Sequence, residues 1–110
     1  MADYMRVATL AEVPEGELRS YELVVGRVVV AHIESELFAL GDECTHQGCL
    51  LSEGEIDEVA DTVVCPCHGS AFDLRTGEPV EGPAEDPVPV FPLRVADGWI
   101  EVLPVPGGEG

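Results

Sequence analysis

The sequence predicts an all-β domain built from antiparallel sheets, and three observations carry that prediction. Short valine-rich runs recur along the chain, turn-forming residues separate them, and an Asp97-Gly98 pair sits between two strand-like segments near the end. β-Branched residues suit a pleated, half-buried surface, and Asp-Gly favours the tight primed turn of a hairpin. Tyr4 to Ala8 is expected as a first short strand. Glu17 to Val25 and Arg27 to Ile33 flank Gly26 and read as a hairpin; Glu36 to Leu40 continues the ladder after a Glu34-Ser35 turn. The acidic stretch from Ala11 to Glu17 is given one turn of helix. Further on the strand candidates are short, Thr62 to Cys65 and Ala71 to Leu74. Val88 to Val95 and Trp99 to Leu103 then close the domain, with Pro87, Pro89 and Pro92 placing the first of the pair at an edge or a bulge. No internal repeat is visible.

At 110 residues the chain is expected to be one domain. Five Lys+Arg against 22 Asp+Glu give a net charge of −17, and there is no lysine. Nothing there releases counterions from phosphates, so nucleic acid and anionic membrane surfaces are excluded as partners. With 45% hydrophobic residues the chain is not a disordered acidic segment, so the acidity is assigned to the surface of a folded domain. The start, Met1-Ala2-Asp3-Tyr4-Met5-Arg6, has no basic segment followed by an apolar one. The most apolar stretch, Leu23 to Ile33, is broken by Gly26, Arg27 and His32 and is too short to span a bilayer. A soluble cytoplasmic protein is expected, and in that setting four cysteines point to metal before a disulfide framework.

All four cysteines and two of the three histidines fall in two clusters, Cys44-Thr45-His46-Gln47-Gly48-Cys49 and Cys65-Pro66-Cys67-His68-Gly69-Ser70. Thiolates and imidazoles at short spacing are what a transition metal needs. Eighteen residues separate His46 from Cys65, which lets two loops close on one site. Three other readings stand beside this one. Four unrelated buried cysteines are possible in principle, but do not explain the paired Cys/His spacing. Structural zinc ordinarily uses C-x₂₋₄-C with a second such pair or H-x₃₋₅-H, which C-x-H-x₂-C and C-x-C-H match poorly. A catalytic Cys–His pair lacks a third group to orient it.

The pattern C-x-H, eighteen residues, C-x-x-H resembles that of Rieske iron–sulfur proteins, over roughly residues 4 to 103. The resemblance implies the Rieske fold, with antiparallel sheets in a sandwich or partly open barrel and a small cluster-binding subdomain of two loops. It implies a domain over residues 1–104, the subdomain at about 41–83, and a flexible tail over 105–110. One [2Fe-2S] cluster is implied, one iron held by Cys44 and Cys65 and the other by His46 and His68. Gly82-Pro83-Ala84 is similar to the proline loop that covers the cluster in this family. The charge arithmetic agrees with such ligands. Two ferric ions and two sulfides sum to +2, and two thiolates bring the oxidised site to zero, whereas four would leave −2 and oppose a further electron. Neutral imidazoles raise the potential into a range of about −150 to +300 mV. With protein ligands filling both irons, the implied role is electron carriage, not catalysis.

The remaining cysteines, Cys49 and Cys67, stand where the Rieske proteins of cytochrome bc complexes carry a disulfide joining the loops, so the resemblance implies that bridge. Other residues resemble the small ferredoxins of ring-hydroxylating dioxygenases instead. Gln47 replaces the apolar residue of the quinol-docking tip, and Phe72 replaces a tyrosine whose hydroxyl bonds a ligand sulfur. Phe72-Asp73-Leu74-Arg75-Thr76-Gly77 and the closing Pro-Val-Pro-Val-Phe-Pro-Leu-Arg-Val match those ferredoxins. Ser70 is expected to hydrogen-bond a bridging sulfide. The implied function is a monomeric single-electron carrier between a flavoprotein ferredoxin reductase and a terminal oxygenase, with Gln47 and Gly69 at the docking surface. The alternative is a Rieske module of another redox complex, a nitrite reductase small subunit or a quinol-oxidising relative. His32 and Trp99 are read as packing residues.

Overall fold

The third valine-rich run organises the molecule. In a computed structural model describing residues 4–44, 49–67, 69–82 and 84–105, Gly26–Ile33 is buried on both of its faces. Val28 and Val30 point to one side, where they meet Phe91, Val102 and Ile100; Val29, Ala31 and Ile33 point to the other, where they meet Leu40, Val63 and Phe72. Side chains alternate across a strand, so an unbroken apolar run marks a strand packed from both sides. Each of the valine, leucine, isoleucine and phenylalanine side chains among these, fully removed from water, contributes about 1.5–3 kcal/mol.

Among the described residues the strands, in chain order, are β1 (Met5–Thr9), β2 (Leu18–Leu23), β3 (Gly26–Ile33), β4 (Glu36–Gly41), β5 (Glu55–Asp57), β6 (Thr62–Val64), β7 (Ala71–Asp73), β8 (Pro79–Glu81), β9 (Val90–Phe91), β10 (Leu93–Ala96) and β11 (Trp99–Val102). They form three open antiparallel sheets, ordered β1-β11-β10, β2-β3-β4-β9 and β5-β6-β7-β8. The middle sheet carries β3, the β1-β11-β10 sheet covers one face, and the β5–β8 sheet with the cysteine loops covers the other. The all-β expectation holds, as three sheets that do not close on themselves.

The differences from the sequence reading have local causes. The expected strand from Val88 to Val95 is two strands: β9 pairs with β4 in the middle sheet, and β10 pairs with β11 in another. Pro92, lacking an N–H, ends one pairing and lets the chain change sheets. Both pieces are edge strands, as the prolines required. Val24 and Val25 form the first hairpin's turn and Gly26 already belongs to β3. The helical turn is a 3₁₀ turn at Leu10–Glu12, starting one residue before the expected 11–17 stretch and ending early in it, because Glu12 reaches back to the Thr9 N–H and hydroxyl. β5 and β8 have three residues each, too few for an alternation to be read as a strand. Asp97 and Gly98 do form the closing turn, with positive φ at both (55° and 79°). Of the expected tail, 106–110 lies outside the described residues. No described helix is long and apolar enough to cross a membrane.

Candidate metal centre

The first cysteine loop leaves β4 at Gly41 and returns to a 3₁₀ turn, Leu51–Glu53. Its base is a small ladder: the Cys44 N–H donates to the Cys49 carbonyl at 2.7 Å, Glu43 bridges Leu50, and the Leu51 N–H donates to the Asp42 carbonyl at 2.6 Å. Asp42 is fully buried and is held by neutral donors. Its carboxylate accepts the Ser20 hydroxyl at 2.7 Å, the Ser52 N–H at 2.7 Å and the Ser52 hydroxyl at 2.8 Å. A buried carboxylate satisfied by three donors fixes whatever backbone carries them.

The second loop joins β6 to β7. The Cys65 N–H donates to the Ser70 carbonyl at 2.7 Å, and the exposed Gly69 N–H donates to the Cys65 carbonyl at 3.2 Å. Ser70 is fully buried; its Oγ accepts the Ala84 N–H at 3.0 Å, which ties Ala84 against this loop. That hydroxyl still carries a proton to donate. Gly82 is exposed in a bend. Phe72, on β7 opposite Val63, is wholly buried in the core that also holds Cys44 and Cys65. Gly54, unmarked by the sequence reading, lies where an added Cβ would collide with the Val64 carbonyl and press on Pro66. Only glycine lets the two loops approach this closely.

The four cysteines divide into two kinds. Cys49 and Cys67 form a disulfide between the loops, with their Cα atoms 6.4 Å apart. Cys44 and Cys65 lie outside the bridge and are buried. The Sγ atoms of Cys49, Cys65 and Cys67 lie within 4.8 Å of one another, but two of them are bonded together, so the trio is not a three-thiolate metal site. Two buried thiols on facing loops, shielded from water, are a donor set that fits one iron of a [2Fe-2S] cluster. His46, Gln47, His68 and Pro83 lie outside the described residues. His32 stands apart on β3, half-buried, its Nδ1–H donating to the Val13 carbonyl at 2.7 Å.

Electrostatics around these loops are one-sided. Each of the five arginines is within 4.0 Å of a carboxylate: Arg6 and Arg94 on Glu101, Arg19 on Glu17, Arg27 on Glu22, Arg75 on Glu36 and Asp61. The hydrogen bond from Arg75 holds the Glu36 carboxyl below its usual range, and Arg75 also lies 5.1 Å over the Phe38 ring. Arg94 lowers Glu101 in the same way, against the opposing effect of burial and with further help from Arg6. No arginine is left to offset the remaining acidic residues.

Comparison with known proteins agrees with this site. The Rieske [2Fe-2S] domain family matches residues 3–92. The chain is 38% identical over 96 residues to the 3-phenylpropionate/cinnamic acid dioxygenase ferredoxin subunit of Photorhabdus laumondii, covering 87% of this chain and 90% of that one. Among solved structures it is similar to the ferredoxin of carbazole 1,9a-dioxygenase from Nocardioides aromaticivorans (TM-score 0.89, 28% identity, 93% of this chain and 98% of that one). It is also similar to a chain in a complex of reduced oxygenase and oxidised ferredoxin of carbazole 1,9a-dioxygenase (TM-score 0.87, 30% identity, 94% and 95% covered). The chain belongs to the Rieske [2Fe-2S] family. Its relatives are electron-transfer ferredoxin subunits of dioxygenase systems, not the catalytic components.

Proposed function

We propose that this protein is the ferredoxin of an aromatic ring-hydroxylating dioxygenase, carrying single electrons from a flavoprotein reductase to a terminal oxygenase. The observation that carries the reading is the likeness, over most of the chain, to ferredoxin subunits of dioxygenases, and the division of the cysteines gives it a donor set: a disulfide takes Cys49 and Cys67 and leaves Cys44 and Cys65 as buried thiols on facing loops. Cys44 and Cys65 hold one iron of a single cluster, and His46 and His68 hold the other. Such a centre supplies one-electron reduction and reoxidation in a bound, non-catalytic form. The chain does the rest. The disulfide and the Asp42 and Ser70 hydrogen bonds hold the two loops in register, and the apolar core keeps water from the thiols. Residues 1–104 act as one unit with the cluster subdomain at about 41–83. The protein works in the cytoplasm as a monomer.

Gln47 and Gly69 sit beside the histidines and form the contact surface. With every arginine already paired, the field a partner meets is anionic, so the reductase and the oxygenase present basic patches. The test is reconstitution. Purified protein should contain iron and acid-labile sulfide in equal amounts, and oxygenase turnover with the reductase should require it. Stopped-flow transfer should slow as salt shortens the Debye length from about 30 to 8 Å. Protein holding zinc instead of iron and sulfide, or turnover unaffected by its omission, would overturn the reading.

A further inference from the structure

The disulfide has a third sulfur beside it. Cys65 Sγ lies within 4.8 Å of both Cys49 Sγ and Cys67 Sγ, and of the three residues Cys65 is buried, Cys49 half-buried and Cys67 exposed. A thiolate next to a disulfide is the geometry from which thiol–disulfide exchange begins. We propose that Cys65, whenever it holds no metal, exchanges with the bridge and converts Cys49–Cys67 into Cys49–Cys65.

The atoms and electrons balance without an oxidant. Cys65, which leaves a metal already as the thiolate, attacks Cys49 Sγ with its sulfur. The Cys49–Cys65 bond forms as the Cys49–Cys67 bond breaks. The electron pair leaves on Cys67 Sγ, which takes a proton from water, so one disulfide is consumed and one is made.

Two features set the direction. Cys67 is exposed, so the departing thiolate is solvated at once. Attack on Cys67 instead would join residues separated only by Pro66, whose ring fixes φ and opposes so short a closure. The exchanged bridge still links the two loops, now through a residue we assign as a ligand. On that assignment the emptied protein locks itself against reloading, and a small thiol attacking the new bridge reopens it. The lock rests on the function proposed above; the exchange does not.

The experiment uses the full chain as isolated, with iron and sulfide measured first. The protein is then stripped of iron with a chelator, without oxygen or added thiol, alkylated, and its disulfides mapped by mass spectrometry. Before stripping, only Cys49–Cys67 should be found. Afterwards Cys49–Cys65 should accumulate, with alkyl label on Cys67 and Cys44. Cys65→Ser treated in parallel should keep Cys49–Cys67 and leave Cys67 unlabelled. A stripped protein that retains Cys49–Cys67 with label on Cys44 and Cys65 overturns the proposal, as does a new bridge to Cys44, or Cys67 labelled in Cys65→Ser. A chain isolated without iron or sulfide overturns the carrier reading instead, and the exchange is then read directly from its linkage as isolated.

Discussion

Asp42 and Ser52 close the base of the first cysteine loop from both sides, the Ser52 N–H on one carboxylate oxygen at 2.7 Å and its hydroxyl on the other at 2.8 Å. The Ser20 hydroxyl completes the set at 2.7 Å. Asp42→Ala leaves these half-buried donors without their shared acceptor and should cost about 1–3 kcal/mol. Asp42→Asn keeps an acceptor for the Ser52 N–H and should cost less. Urea denaturation of the two variants checks the order; equal stability to the parent chain would mean that the loop base is held by its backbone ladder alone.

Replacing Cys44, His46, Cys65 or His68 by alanine should abolish bound iron and sulfide, because each removes a proposed ligand. His32→Ala should retain both, since that ring serves the Val13 carbonyl. Metal and sulfide analysis of the five variants decides it, and loss from His32→Ala with retention in His68→Ala would reverse the ligand assignment.

Ser70→Ala strands the Ala84 N–H that its Oγ accepts at 3.0 Å. A stability loss of about 1–3 kcal/mol should result. The same variant should lower the reduction potential, as the loop loses a hydroxyl donor for sulfur, and Phe72→Tyr should raise it by adding one. Voltammetry separates the tuning role from the structural one, which denaturation alone would report.

Acid should weaken the fold through Glu36 and Glu101. Both carboxyls are held below their ordinary value of 4.5 in the folded chain, Glu36 by Arg75 and Glu101 by Arg94 first and Arg6 after it. As pH falls the unfolded chain therefore takes up these protons first. Their stabilisation is full above the unfolded value and is lost as pH falls through the folded ones. Glu36→Gln and Glu101→Gln should each flatten the acid limb of a stability–pH curve, more for Glu101, which is 7% exposed. The check is the urea midpoint measured from neutral pH downward.

Strong local signals reached the fold intact. The valines of β3 and the Asp97-Gly98 turn are set by pleat and backbone sign, both of which a sequence displays. Pro92 was visible as a problem for a strand, but not as a passage between sheets, because where the chain turns after a missing N–H depends on which strands stand on either side. β5 and β8 take their order from pairing, not composition. At the site the cysteines announced themselves through spacing. Asp42 and Gly54 did not: one is defined by serines ten and twenty-two residues away, the other by a carbonyl on β6. A single acidic residue or glycine carries no mark of such distant partners.

The pairing of β1 with β11 sets the order in which this chain can be finished. Met5 lies opposite Val102 and Thr9 opposite Trp99, so β1 has no partner until β11 has been made. The β2–β3–β4 meander, joined by two-residue turns, needs no such wait. Local contacts close quickly and distant ones slowly. During synthesis the layer carrying β3 therefore stands with one apolar face uncovered until β11 is in place. For that interval Val28 and Val30 lack the cover of that layer, and the chain's excess of acidic residues opposes the approach of two such molecules.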